Sequence, residues 1–255
     1  MVRYFIELSF NGKDFVGWQV QLNGISVQEI LNKALSTIFR ENVETVGCGR
    51  TDAGVHASYF VAHFDLNNGL SIDINKAIYK LNRILPTSVA IYSITPVDAT
   101  AHARFDAIER TYRYVITRKK NPFLVGQAFY YSLPLNIENM NIAAGLLLTL
   151  SDFTSFAKLH SDNKTNICKV VNAIWTEEND TLVFTITANR FLRNMVRAVV
   201  GTLMDIGLGK YGPEEILEIA EAGNRNIAGT SAPAEGLFLC DIVYPQQIFC
   251  RNISK

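Results

Sequence analysis

Ser26-Val27-Gln28-Glu29-Ile30-Leu31-Asn32-Lys33-Ala34-Leu35-Ser36-Thr37-Ile38-Phe39 is the stretch from which the fold can be read. Ser26, with Glu29 three residues on, has the form of a capping box. Val27, Ile30, Leu31, Ala34, Leu35, Ile38 and Phe39 then recur at i, i+3, i+4, i+7 spacing, which predicts an amphipathic helix with a defined start. Before it, Val2, Tyr4, Ile6, Leu8 and Phe10 alternate with more polar residues, as a strand with one buried face should. Asn11-Gly12-Lys13-Asp14 turns the chain between the two. After the helix, a hydrophobic run from Val43 to Val46 enters a glycine-rich loop, and a β-prone run from Tyr59 to Phe64 leaves it. A helix with Ile74, Ala77, Ile78, Leu81 and Leu85 facing inward is stopped by Pro86, and Val89 to Ile94 supplies a last strand. The order is β-α-β-β-α-β, the split βαβ arrangement that puts helices on one face of an antiparallel sheet.

The second half repeats the order without repeating the sequence. After a link from Pro96 to Ala107, a strand from Arg110 to Thr117 and a helix from about Ile137 to Leu150 are expected. A hairpin follows, Ile167 to Thr176 and Thr181 to Asn189, turning at Asn179-Asp180. Then come a helix from about Phe191 to Ile206, a short acidic helix opened by Pro213, and a strand from Leu237 to Tyr244. The fold class expected is therefore α+β: two split-βαβ (ferredoxin-like) halves, residues 1–105 and 106–255, forming a central antiparallel sheet with helices packed on it.

At 255 residues and 48% hydrophobic, the chain can bury a substantial core. Cysteines at 48, 168, 240 and 250 have no Cys-x-x-Cys spacing and the four histidines are scattered, so neither a disulfide framework nor a metal site is expected. Arg3 to Leu8 enters a strand directly, with no apolar signal core, and no uncharged run is long enough to span a bilayer. A reducing, cytoplasmic setting without membrane insertion is the expectation. Net charge is zero, from 24 basic and 24 acidic residues, which taken alone argues mildly against a dedicated nucleic-acid binder. The charges are nevertheless segregated along the chain. Arg104, Arg110, Arg113, Arg118, Lys119 and Lys120 crowd the stretch from 102 to 120, and Arg190, Arg193 and Arg197 form a second cluster. Acid collects at Glu177, Glu178 and Asp180 and at Glu214, Glu215, Glu218 and Glu221. Two solvated faces, or a basic track for phosphates, would both produce this pattern.

The loop Cys48-Gly49-Arg50-Thr51-Asp52-Ala53-Gly54-Val55-His56-Ala57 concentrates the candidate chemistry. Glycines at 47, 49 and 54 suit a loop that leaves room for a ligand. An Asp in such a loop most often closes an Asx turn, and spacing alone does not favour anything else here. However, Gly49 to His56, Gly-Arg-Thr-Asp-Ala-Gly-Val-His, resembles the signature of the tRNA pseudouridine synthase A family, and further similar blocks follow in order over about residues 3 to 244. The resemblance implies that Asp52 is the catalytic residue. Ala101 to Phe105 with Arg110 to Tyr114 is similar to a second block and implies that Tyr112 contacts the base; spacing does not separate it from Tyr114, which shares its strand face. Asn189 to Gly201 resembles a third block, in which Arg197 would pair with Asp52 and hold it ionised and oriented. Arg193 lies four residues before Arg197, and Ala198 replaces the Asn usual in the family. Ala232 to Leu239 fits the family's final strand entry, with Leu237 packing near the site. Asp152 to Phe156 also matches, whereas His160 to Lys164 is more polar than the usual continuation. Gly17-Trp18-Gln19 matches too, with Trp18 read as core and His56 as structural.

The implied function is tRNA pseudouridine synthesis at uridines 38, 39 and 40 of the anticodon stem-loop, by a homodimer. The isomerisation needs no cofactor, in keeping with the lack of a phosphate-loop or dinucleotide motif. Asp52 would attack C1′ or abstract a sugar proton. The target base must leave its stack, so Arg50 is a candidate to fill the vacated space and Tyr112 to stack on the base. Arg104, Arg110, Lys119, Lys120 and Arg193 are candidate RNA contacts. The alternative is a non-catalytic RNA-binding protein built from split-βαβ modules, although the aromatic strand signature of such modules is missing. A glycoside hydrolase would need a second carboxylate facing Asp52, and the loop holds none.

Overall fold

The structure, a computed structural model, describes residues 1–67, 73–158 and 165–249; the polar stretch His160 to Lys164 lies outside them. The chain divides into two compact units, one from Met1–Ile108 together with the residues from Leu239 on, the other Glu109–Phe238. The fold class is α+β.

The first unit runs β1 (Val2–Phe10), α1 (Val27–Phe39), β2 (Val46–Gly47), β3 (His56–Leu66), α2 (Ile74–Ile84) and β4 (Val89–Pro96). β1 lies between β3 and β4, antiparallel to both, and β2 pairs with β3. This is the split βαβ order. Ser26 caps α1 as expected, its hydroxyl accepting the Glu29 N–H at 3.2 Å. Val27, Leu31, Ala34, Leu35 and Phe39 form the buried stripe. The run from Val43 to Val46 is not the full strand its hydrophobicity predicts. Polar side chains of α1 capture its backbone instead: Asn32 Oδ1 accepts the Thr45 N–H, Ser36 Oγ accepts the Val43 N–H, and Gln28 Nε2 donates to the Thr45 carbonyl. Only Val46 and Gly47 remain to pair with β3.

The second unit contains β5 (Glu109–Thr117), β6 (Phe129–Tyr130), α3 (Ile137–Leu146), β7 (Val170–Glu178), β8 (Thr181–Ala188), α4 (Met195–Gly207) and α5 (Glu215–Glu221). β8 is antiparallel to both β5 and β7, and β6 adds a short parallel pairing to β5. β9 (Leu237–Val243) starts at the end of this unit and continues in the first, beside β3. α3 gives way to a 3₁₀ turn at Leu147–Thr149, so it ends earlier than its apolar run. α4 begins four residues later than expected, because Asn194 takes a left-handed conformation with φ 65° that no helix can continue through. Arg193 therefore precedes α4 rather than sharing a helical face with Arg197. From Met195 on, α4 is buried on nearly every side, as an almost uniformly apolar helix must be. No helix among the described residues is long and apolar enough to cross a membrane.

His63 on β3 is buried, and its Nδ1 accepts the Ala103 N–H at 3.1 Å, which requires that nitrogen to be unprotonated. Burial pushes its pKa down to about 4, with Arg3 and His102 acting in the same direction and Asp65 and Asp106 opposing. The unfolded chain takes up this proton near the ordinary imidazole value of 6.5. Stability contributed by neutral His63 is therefore complete above that pH and is lost progressively as pH falls toward 4. We expect melting temperature to drop between neutral pH and pH about 4.5, and His63→Gln, which cannot charge, to drop less over the same interval. Parallel declines would assign the acid sensitivity to other groups.

Candidate active site

The loop between β2 and β3 is held from outside itself. The segment 12–18 clasps it: Trp18 N–H donates to the Thr51 carbonyl at 3.4 Å, and Gly54 N–H donates to the Phe15 carbonyl at 3.3 Å. Cys48 N–H reaches the Val61 carbonyl of β3 at 2.8 Å. Gly12 N–H donates to Nδ1 of buried His56 at 3.0 Å, so His56 serves the clasp as a backbone acceptor. Gly17 is required at its position twice over. Its φ is +108°, and an added Cβ would lie 2.3 Å from the Thr51 carbonyl oxygen. Trp18 is core, 4.2 Å from Phe60 between ring centroids, and Gly47 packs against it.

Within this frame Asp52 is half-buried and Arg50 exposed. A backbone bond, Val55 N–H to the Asp52 carbonyl at 3.2 Å, closes the turn. Thr51 is buried, and its hydroxyl oxygen has no hydrogen-bond partner among the described residues. An orphaned buried hydroxyl costs about 1–3 kcal/mol, so loop placement is not optimised for stability alone.

In the second unit, the segment 228–236 runs as a strap along α4. Gly201 lets it pass, since a Cβ there would meet the Thr230 carbonyl oxygen at 1.8 Å. Arg197 Nε donates to the Ala232 carbonyl at 2.6 Å, and Ala232 N–H returns a bond to the Arg197 carbonyl at 2.9 Å. The Tyr114 hydroxyl donates to the next carbonyl, Pro233, at 2.8 Å. Burial raises the Tyr114 phenol far above its usual range; the charge of Arg197 acts against this and that of Glu235 with it. The two tyrosines of β5 are thus told apart by their surroundings. Tyr114 is fully buried and committed to the strap, whereas Tyr112 is half-buried with its ring edge-to-face on Phe191 at 5.0 Å. Leu237 is buried at the start of β9.

Part of the charge segregation along the chain is cancelled on folding. Arg113 pairs with Glu178 at 2.6 Å, Arg118 with Glu177 at 3.5 Å and Lys119 with Asp180 at 2.8 Å. The ladder of β5, β8 and β7 brings the acidic hairpin level with the end of β5, a neighbourhood hidden by some sixty residues of intervening chain. Arg110 donates to the Asn189 carbonyl, and Arg104 stands over the Phe105 ring. Lys120 and Arg193 are exposed. No three His, Cys, Asp or Glu side chains among the described residues are grouped to hold a metal ion.

A family model described as tRNA pseudouridine synthase matches residues 143–245. Similarity to individual proteins extends over almost the whole chain. It is 54% identical to a tRNA pseudouridine synthase A of Bacteroides fragilis, with 97% of this chain and 98% of the relative covered. Identity is 51% to the protein of the same name from Parabacteroides distasonis, covering 98% of each. The chain belongs to the tRNA pseudouridine synthase A family. Even a Thermoanaerobacter relative carrying the same name is 38% identical over 96% of this chain and all of its own. The matched residues 143–245 include α4, Arg197 and the strap.

The clasp is testable apart from chemistry. Gly17→Ala introduces both an unfavourable φ and the contact with Thr51, and should destabilise the fold by about 1–3 kcal/mol. Turnover should fall further than stability explains, while tRNA affinity changes little. Denaturant titration beside steady-state kinetics checks this, and a variant with wild-type kcat would show that the clasp does not position the loop.

Proposed function

We propose that this chain isomerises uridine to pseudouridine in tRNA, with Asp52 as the catalytic carboxylate. Full-length similarity to enzymes named tRNA pseudouridine synthase A supports the reaction. The observation that carries the assignment of Asp52 is its place: a half-exposed carboxylate at the turn of a loop whose backbone is tied to the segment 12–18 and to β3.

In the reaction the C1′–N1 bond breaks, the uracil turns and a C1′–C5 bond forms. The hydrogen displaced from C5 is balanced by one gained at N1, so the stoichiometry calls for no redox partner or group donor. Asp52 acts as a nucleophile at C1′ or as a base on the sugar, and either role needs an ionised carboxylate sheltered from water. Arg197 is its partner in this reading. With Nε committed to Ala232, the pairing falls to Nη1 and Nη2, whose fork matches a carboxylate. Half-buried Tyr112 stacks on the flipped base, while Arg50 occupies the gap in the RNA and Leu237 backs the pocket. Residues 1–105 thus present the carboxylate, and residues 106–255 supply Tyr112 and Arg197.

The substrate positions in this proposal are uridines 38, 39 and 40 of the anticodon stem-loop, modified in the cytoplasm by a homodimer. Serving neighbouring positions with one carboxylate favours recognition of RNA shape and phosphates over base edges. Arg104, Arg110, Lys120 and Arg193 are the proposed contacts, and Lys119 joins them only by exchanging Asp180 for phosphate.

Asp52→Asn keeps shape and removes charge. Pseudouridine formation on an unmodified tRNA transcript, followed by nucleoside chromatography, should fall on the order of 10⁴-fold or more, as loss of an essential catalytic group does. Equilibrium binding of the transcript should stay within a few-fold of wild type. Wild-type turnover by the variant would remove Asp52 from the mechanism and leave the binding-module reading standing.

A further inference from the structure

Arg225 follows α5 and is half-buried. Its Nη1 donates to the Ala228 carbonyl at 3.3 Å and its Nη2 to Ser231 Oγ at 2.8 Å. Asn194 Nδ2 donates to the same oxygen at 2.6 Å. Two accepted N–H bonds occupy both lone pairs of the Ser231 hydroxyl. Its own proton is left as a donor, with no acceptor among the described residues. The corner is therefore made of donors. Two further cations border it. Arg193 is adjacent to Asn194 in the chain, and its carbonyl accepts the Lys158 N–H at 3.0 Å; both side chains are exposed. Ser155 Oγ accepts the Asn224 N–H at 2.9 Å, tying the chain near Lys158 to the chain beside Arg225.

Arg225 has no carboxylate partner among the described residues. Arg3, Arg113, Arg118, Lys119 and Lys210 each pair with an Asp or Glu. Burial holds Arg225 below the usual arginine range, and no acidic group acts against it. It stays charged at neutral pH all the same. The two bonds it makes to Ala228 and Ser231 need only N–H donors, which an amide side chain would supply without a buried charge. A partly buried charge with no acid beside it is costly to keep, and among the described residues no carboxylate balances it, so the charge suits an anion brought from outside.

We propose that Arg225, Ser231 and Asn194 form a phosphate-binding subsite for the RNA backbone, with Arg193 and Lys158 at its rim. The proposal rests on the reading that RNA is the substrate. A phosphodiester carries one negative charge and several acceptor lone pairs. It accepts from the remaining guanidinium N–H groups, the Ser231 hydroxyl and the second Asn194 amide hydrogen. Ser231 is followed by Ala232 and Pro233, whose carbonyls hold Arg197 and Tyr114. RNA bound here grips the same strap that orients Arg197.

Arg225→Gln retains an N–H donor and removes the charge; Arg225→Lys retains the charge. Binding of an unmodified tRNA transcript is measured across a salt series, with melting temperature as the control for folding. Arg225→Gln should bind about tenfold more weakly at low salt. Its slope of log K against log salt should be shallower by about 0.7–0.9, the release expected for one phosphate contact, and Arg225→Lys should keep the wild-type slope. Affinity and slope both unchanged in Arg225→Gln would overturn the proposal. If that variant proves unstable, Ser231→Ala decides: it leaves the charge in place and should weaken binding several-fold with no change of slope, and undiminished binding would refute the subsite. These readouts are scored without turnover. A wild-type protein that binds the transcript but makes no pseudouridine would refute the enzymatic reading alone.

Discussion

The bond between Trp18 N–H and the Thr51 carbonyl, made possible by the absence of a side chain at Gly17, is the contact on which the candidate site depends. A glycine-rich loop with few side chains of its own to bond its backbone is held by its neighbours. Its backbone polar groups must be satisfied by other parts of the chain. Here the segment 12–18, β3 and His56 satisfy backbone groups of the loop whose turn Asp52 occupies. The partnerless hydroxyl of Thr51 is consistent with positioning being favoured over local stability, as catalytic loops often require.

The second unit solves a similar problem with an arginine. A guanidinium has rotational freedom about four side-chain bonds, and the proposed pairing with Asp52 would need it in one orientation. Arg197 is fixed by a reciprocal pair of bonds to Ala232, made on a strap that passes α4 at Gly201 and is pinned one residue later by Tyr114. The strap is in turn held by Asn194 and Arg225 through a single serine oxygen. Asn194 terminates helical geometry before α4 and supplies one of these bonds, so the late start of the helix and the anchoring of the strap share a cause.

Much of the architecture was legible because burial imposes simple periods. Alternation reappears along β1 from Ile6 to Phe10, although Phe5 is buried too and Val2 is exposed, and the stripe of α1 reappears without Ile30 and Ile38, down to the Ser26 cap. What escaped periodicity was decided by side chains reaching backbone. Asn32, Ser36 and Gln28 draw the run from Val43 to Val46 away from sheet pairing, and no local pattern announces that. The pairing of charges was hidden for a related reason: linear clustering says nothing about which strands lie side by side, and the β7–β8 hairpin delivers Glu177, Glu178 and Asp180 to the basic end of β5. At the candidate site, the octapeptide around Asp52 was legible as a motif. The distinction between Tyr112 and Tyr114 was not, because it depends on the Pro233 carbonyl, more than a hundred residues away. Arg225 carried no signal at all, since what sets it apart is the lack of a neighbouring acid.

The reaction itself leaves a direct trace, because pseudouridine formation replaces the hydrogen on C5 of the target uracil. An unmodified tRNA transcript labelled with tritium at C5 of its uridines, incubated with the purified wild-type protein alone, should release tritium to solvent. Digestion should then yield pseudouridine confined to the anticodon stem-loop. Retention of all label, or release of free uracil in place of a rejoined nucleoside, would contradict the assignment of this chain as a tRNA pseudouridine synthase.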